Sequence, residues 1–157
     1  MAPSREAVMS ALFADLQAAT FSAVGPSGAT TWASTGRRLR LWGDVDPSQQ
    51  PALFLVEHME EMVQPGRGIP RKLEQQAFVY VYARCDGGQT GGSILNTLMD
   101  AIESSIAPAP GSSDILSNAQ TLGGVAYKCW VQGKVFKDPG DLDDQALLIV
   151  PIVVTVP

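Results

Sequence analysis

His58 is the chain's one histidine, so a Ser/His/Asp or Cys/His nucleophilic apparatus would have to be built around it. It stands among Val56, Glu57 and Met59 in a predicted strand, and neither Cys85 nor Cys129 is near it in sequence. No CxxC, HExxH or GxSxG occurs, so the zinc-site and hydrolase signatures are missing rather than degraded. Glu60 and Glu61 could divide acid and base work, but successive strand residues point to opposite faces, which places them poorly for sharing a proton. The run Asp138 to Asp144, DPGDLDD, resembles a calcium loop in its recurring carboxylates. It lacks the closing bidentate glutamate and the flanking helices of an EF-hand, and reads as a solvated hairpin turn. From these residues no catalytic, cofactor-binding or metal-ligating position is assigned.

A glycine-rich break, Gly87, Gly88, Gly91 and Gly92, invites a different chemistry, because backbone N–H groups at a helix N-terminus attract anions. A P-loop would need Gly-Lys-Ser/Thr leading into the helix, and this loop holds no lysine. A dinucleotide fingerprint would need a parallel βαβ unit whose next strand is not obvious here. A flexible structural turn is the preferred reading over an anion site.

The elements around that break are the best defined in the chain. The predicted strand Leu73 to Cys85 is dense in β-branched and aromatic residues. Period-2 alternation puts Phe78, Tyr80, Tyr82 and Arg84 on one face and Ala77, Val79, Val81 and Ala83 on the other. The small face suits close approach by a helix, while the tyrosine hydroxyls can reach water or a partner. Ser93 is a plausible N-cap for a helix carrying Ile94, Leu95, Leu98, Ile102 and Ile106 at helical spacing, stopped by Pro108.

Upstream, Ser4 can cap a helix running to about Thr20, with Val8, Leu12, Leu16 and Ala19 on one face and Met9 and Phe13 widening the stripe. Gly25 to Gly28 breaks the pattern. Thr31 to Trp42 reads as a strand in which Arg38 and Arg40 share a solvated or partner-facing side. Ala52 to Met62 is a further strand whose acidic end could be helical. The glycine-containing connection 63–72 could be an arm toward a neighbour, and 107–124 is longer than most loops in compact domains. Val125 to Lys137 reads as one strand, and ALLIVPIVVTVP closes the chain as a strand buried on both faces, with Pro151 suggesting an edge or a bulge. Trp32, Trp42 and Trp130 are placed on strands, chiefly as core residues.

At 157 residues and 45% hydrophobic, one domain spanning 1–157 with a real core is the default. The charged fraction of 17% is below the roughly 25% of ordinary soluble domains, which leaves more uncharged surface for lasting contact between subunits. A net charge of −5 argues against nucleic-acid binding as the main function. Two cysteines are too few for a secreted framework and are expected as free thiols. MAPSREAVMSALF has no apolar run suited to export, and no segment reaches the roughly 18 to 20 apolar residues of a membrane span.

The arginine cluster Arg37, Arg38 and Arg40 reads either as a solvated strand face or as a subunit contact, since guanidinium groups pair bidentately with carboxylates of a neighbouring copy. Arg67, Arg71 and Lys72 form a second basic group and a second candidate contact with a subunit or tube.

The order helix, two strands, loop, strand VYVYARCDGG, helix SILNTLMDAIE and closing hairpin KVFKDPGDLDDQALLIVPIVVTVP resembles the tail terminator and tail completion proteins of long-tailed phages, of the lambda minor-tail type. QTLGGVAYKCWVQGKV and the valine-rich end extend the likeness to most of the chain. The resemblance implies an α+β fold, with two main helices packed on a mixed, largely antiparallel sheet of about five strands in one two-layer domain. It implies no enzyme and no cofactor, but a virion protein forming a ring of six copies, monomeric until assembly, on the head-proximal end of the tail tube. Its partners would be the tail tube protein and a head-completion or connector protein, with DNA sliding through the lumen unbound and no membrane involved. Such a ring ends tube polymerisation and offers the surface for head joining. Glu60, Glu61, Asp141, Asp143 and Asp144 are then candidates for the lumen wall. Two other readings stand beside this one: a neighbouring neck protein, and a small cytoplasmic enzyme or ligand-binding domain using the glycine turn.

Overall fold

In the computed structural model, which describes residues 3–63, 66–69, 72–85, 88–108 and 120–156, the Ser4 hydroxyl accepts from the Ala7 N–H at 3.1 Å. That cap opens α1 (Arg5–Gln17), which buries Val8, Met9, Leu12 and Leu16 at i, i+3 and i, i+4 spacing. The helix stops short of the expected Thr20 because the next residues already belong to a small antiparallel pair, β1 (Thr20–Val24) with β2 (Ala29–Thr31). Its turn uses positive φ at Gly25 (70°) and Gly28 (62°), where a side chain would be strained.

The expected strand Thr31 to Trp42 does not form. Only β3 (Ser34–Gly36) joins the sheet, pairing in parallel with the start of β4 (Ala52–Val63). Local alternation misled here, because the segment has a stronger tertiary use. The Arg40 carbonyl accepts from the Tyr82 hydroxyl at 2.6 Å, and Trp42 tilts onto the Tyr82 ring at 5.0 Å. The chain from Arg37 therefore leaves the edge and folds over one end of the sheet. Arg38 and Arg40 consequently do not share a strand face, and the Tyr82 hydroxyl is used inside the fold.

β4 is a strand to its acidic end. It pairs antiparallel with β5 (Lys72–Arg84), with a break in register between Glu57 and Glu60. After β5 comes α2 (Gly91–Ser105), and then β6 (Lys128–Val131), β7 (Phe136–Asp138) and β8 (Gln145–Val156). Six strands make the main sheet, in the order β3-β4-β5-β8-β6 with β7 also on β8, and every pairing except β3–β4 is antiparallel. The expected architecture of helices on a mixed, largely antiparallel sheet is what forms, with a sixth strand added.

Two expectations fail at the β8 side, for one shared reason. Pro151 is in a strand paired on both sides, so it marks neither an edge nor a bulge. Its carbonyl accepts from the Gln132 N–H at 3.2 Å, so its missing N–H faces the same neighbour. There the neighbour breaks: β6 ends opposite Ile152, β7 begins opposite Ile149, and Gly133 bridges them at φ 115°. Val125 to Lys137 is thus two short strands.

Both helices lie on one face. Ala77, Val79, Val81 and Ala83 of β5 and the even-numbered residues of β8 from Ala146 to Val156 form the core with Met9, Leu12, Leu16, Leu95, Leu98 and Ile102. The short β5 side chains do let the helices approach closely. The expected cap at Ser93 moves one turn earlier, since Thr90 Oγ1 accepts from the Ser93 N–H at 3.2 Å.

Candidate functional site

The residues most able to do chemistry are set apart from one another. His58 is exposed and lies against the Phe78 ring at 4.8 Å on the face away from the helices. Cys129 is buried on the helix face, and burial first, then the charge of Asp15, pushes its thiol up to about 12, leaving it protonated and unreactive at neutral pH. Cys85 is half-buried and donates weakly to the carbonyls of Pro139 (3.6 Å) and Gly140 (3.9 Å). Both thiols are free. Trp32 is a core residue beside β2 instead of on a strand, with Nε1 donating to the Leu16 carbonyl at 2.9 Å.

The glycine turn has a structural use. Its Asp86 and Gly87 lie outside the described residues. At Gly91 an added Cβ would sit 1.6 Å from the Pro139 carbonyl oxygen, so the turn before β8 rests directly on the first turn of α2. Thr90 takes the Ser93 N–H, and the Ile94 N–H bonds the Thr90 carbonyl. Glycine is required at position 91 for close packing of backbone on backbone.

The basic set divides by use. Arg37 reaches Glu6 and, at 3.1 Å, Glu57, tying the β3 exit to α1 and β4. Hydrogen bonding to Arg37, then to Ser10, holds the Glu6 carboxyl below its ordinary range, and the bond to Glu6 raises Arg37 in turn. Arg40 donates to the Asp44 carbonyl and, at 3.4 Å, to Gln49 Oε1. Arg38 is exposed and has no hydrogen bond or ion pair among the described residues. Arg67 is exposed in the short stretch between β4 and β5, Lys72 pairs with Glu74 at 3.6 Å, and Arg71 lies outside the described residues.

The acidic set is split between opposite ends of the sheet. Glu60 stands opposite Gln75 near the far end of β4 and receives Arg5 Nε on both carboxylate oxygens, at 2.9 and 2.8 Å. Its neighbour Glu61 is exposed opposite Glu74. Asp141, Asp143 and Asp144 lie beyond the other end, in the turn between β7 and β8. That turn is tightly held. Asp144 donates its N–H to the Gly140 carbonyl (2.9 Å), Asp143 Oδ1 accepts from Gln145 N–H (3.1 Å), and Asp138 Oδ1 accepts from Gly140 N–H (3.0 Å). At its tip Leu142 is fully exposed, 102% by relative area.

Exposed apolar groups complete the candidate site. The face opposite the helices carries Val56, His58, Phe78, Tyr80, Ile149 and Pro151 in adjoining register positions, half-buried except for the exposed His58. Trp42 and Val45 cover its upper end, over Ala52, Phe54 and Tyr82. Beside β3 a groove of about 610 Å³ is lined by Ser34 to Leu41, Asp44 and Phe54, with Leu39 and Leu41 exposed on it. Sequence reasoning set Leu39 and Leu41 on the strand face away from Arg38 and Arg40, and both are exposed instead. It passed over Leu142, although a leucine inside DPGDLDD was a legible signal: such a turn has no local use for it.

No family model matches the chain, and no curated protein does. Among solved structures, a chain in the virion of a native gene transfer agent (GTA) particle is similar over 95% of this chain and 93% of its own length, with 11% identity and a TM-score of 0.49.

Proposed function

We propose that the chain is a structural subunit of a phage-type virion, assembling as a ring on the head-proximal end of the tail tube, where it ends tube polymerisation and offers the surface for head joining. The observation that carries this reading is the sheet face opposite the helices. Val56, Phe78, Tyr80, Ile149 and Pro151 form an apolar and aromatic strip with no covering layer among the described residues, in a chain with a low density of charge. Aromatic-rich strips of this kind supply the buried centre of protein interfaces. The edge of β4 points the same way: beyond Phe54, no described strand pairs with its outer side. A ring needs such surfaces on both flanks of each copy. The resemblance in element order to tail terminators supplies the place in the particle.

Deleting the gene from the phage that carries it, followed by electron microscopy, tests the reading. Overlong tails beside unattached heads are expected. Tails of normal length beside leaking heads would move the chain to the neck, and normal particles would end the proposal.

A further inference from the structure

We infer that the β7–β8 turn of one copy docks into the groove beside β3 of the next, with Leu142 seated between Leu39 and Leu41 and the turn's carboxylates against Arg38 and Arg40. This contact rests on the ring reading above and gives it a joint.

Exposed apolar groups and complementary charge carry it. The turn presents a fully exposed leucine on a backbone fixed by its own hydrogen bonds and by Gly91 beneath it, so little conformational entropy is lost when Leu142 is covered. The groove exposes the matching apolar groups, Leu39 and Leu41.

Charge is complementary. Asp138, Asp141, Asp143 and Asp144 have no ion-pair partner among the described residues, and nearby Lys137 is engaged with Asn96 at 2.8 Å. Arg38 is likewise unpaired, while Arg40 bonds only neutral oxygens, and Asp44 is the one carboxylate lining the groove.

β3, on one wall of the groove, ends one side of the strand order and β7 lies at the other, while the groove's Arg40 carbonyl reaches in to the Tyr82 hydroxyl of β5.

Ser34, Ala52, Tyr82, Leu147 and Asp138 form a single cross-strand row, from which the groove runs inward to Gly36 and Phe54 while the turn runs outward past Gln145. A contact that joins different surfaces of two copies is head-to-tail, and repetition closes it into a ring where the rotation per copy closes. In this arrangement Asp141, Asp143 and Asp144 lie in a joint between copies and not on a lumen wall.

The test uses cross-linking and charge exchange on the full chain, purified and in particles assembled from it. A chain carrying both Leu39→Cys and Leu142→Cys, mildly oxidised, is expected to give a ladder of linked chains ending at the closed ring. Mixed single variants should give 39-to-142 dimers only. Arg38→Glu and Asp141→Lys, both on exposed groups without internal partners, should each weaken association about tenfold in sedimentation, and together restore it. Association that ignores both charges, with no 39-to-142 link, overturns this joint and leaves a ring built through another surface. A chain that stays monomeric both in solution and in particles overturns the joint and the ring together.

Discussion

The two faces of the β4-β5-β8 sheet are made from the same strands and behave as different materials. Toward the helices β5 offers Ala77, Val79, Val81 and Ala83, all buried; away from them it offers Phe78 and Tyr80, half-buried, with His58 exposed beside them. Small side chains are on the covered face because a helix must come close, and large ones are on the face left open. Size here follows the partner: the inner face meets its own helices during folding, and the outer face is suited to another chain.

That contrast can be broken at the inner face first. Leu98→Ala removes a fully buried side chain beneath the sheet and should cost about 2–5 kcal/mol in urea unfolding. A loss no larger than that of an exposed substitution would mean the inner face is not packed as described. Trp32→Phe keeps much of the ring bulk but removes one of two donors to the Leu16 carbonyl, which keeps the Ala19 N–H at 3.3 Å. It should cost about 1 kcal/mol by the same measurement.

On the outer face the expectation reverses. Phe78→Ser should cost about 1 kcal/mol or less in stability, since the ring is only half-buried, while weakening association at least about tenfold in sedimentation. A large loss of stability with association unchanged would erase the distinction between the faces. The smallest effect at neutral pH belongs to Cys129. Its folded thiol is raised to about 12 from an ordinary 9.0, so the stability linked to keeping it protonated is complete below pH 9 and is lost as pH rises from 9 toward 12. Unfolding free energy followed across that window should fall for the wild-type chain and fall less for Cys129→Ala.

What was legible in the chain was what its neighbours in sequence decide. The Ser4 cap, the alternation of β5, the helix after the glycine break and the acidic hairpin turn all depend on residues within one or two turns of each other, where pattern and capping chemistry act directly. The failures share the opposite cause. RRLRLW alternates like a strand, but the Tyr82 hydroxyl and ring, far along the chain, hold it over the end of the sheet. Val125 to Lys137 reads as one strand, but Pro151 across the ladder has no N–H to offer and the neighbour splits there. Sequence proximity groups the basic and the acidic residues, and the fold uses them singly: Arg37 and Glu60 in internal pairs, Arg38 and the turn aspartates at the surface.

By itself, then, the sequence determined the two helices, the long central strands, the low charge and the two-sided character of β5, because these are written in side-chain type and period. Only the tertiary structure decided which strand neighbours which, which charges are spent inside the subunit, and that a groove with two exposed leucines and a leucine-tipped turn are both left at the surface. Those are consequences of register and of contacts between residues distant in the chain, and periodicity carries no information about either.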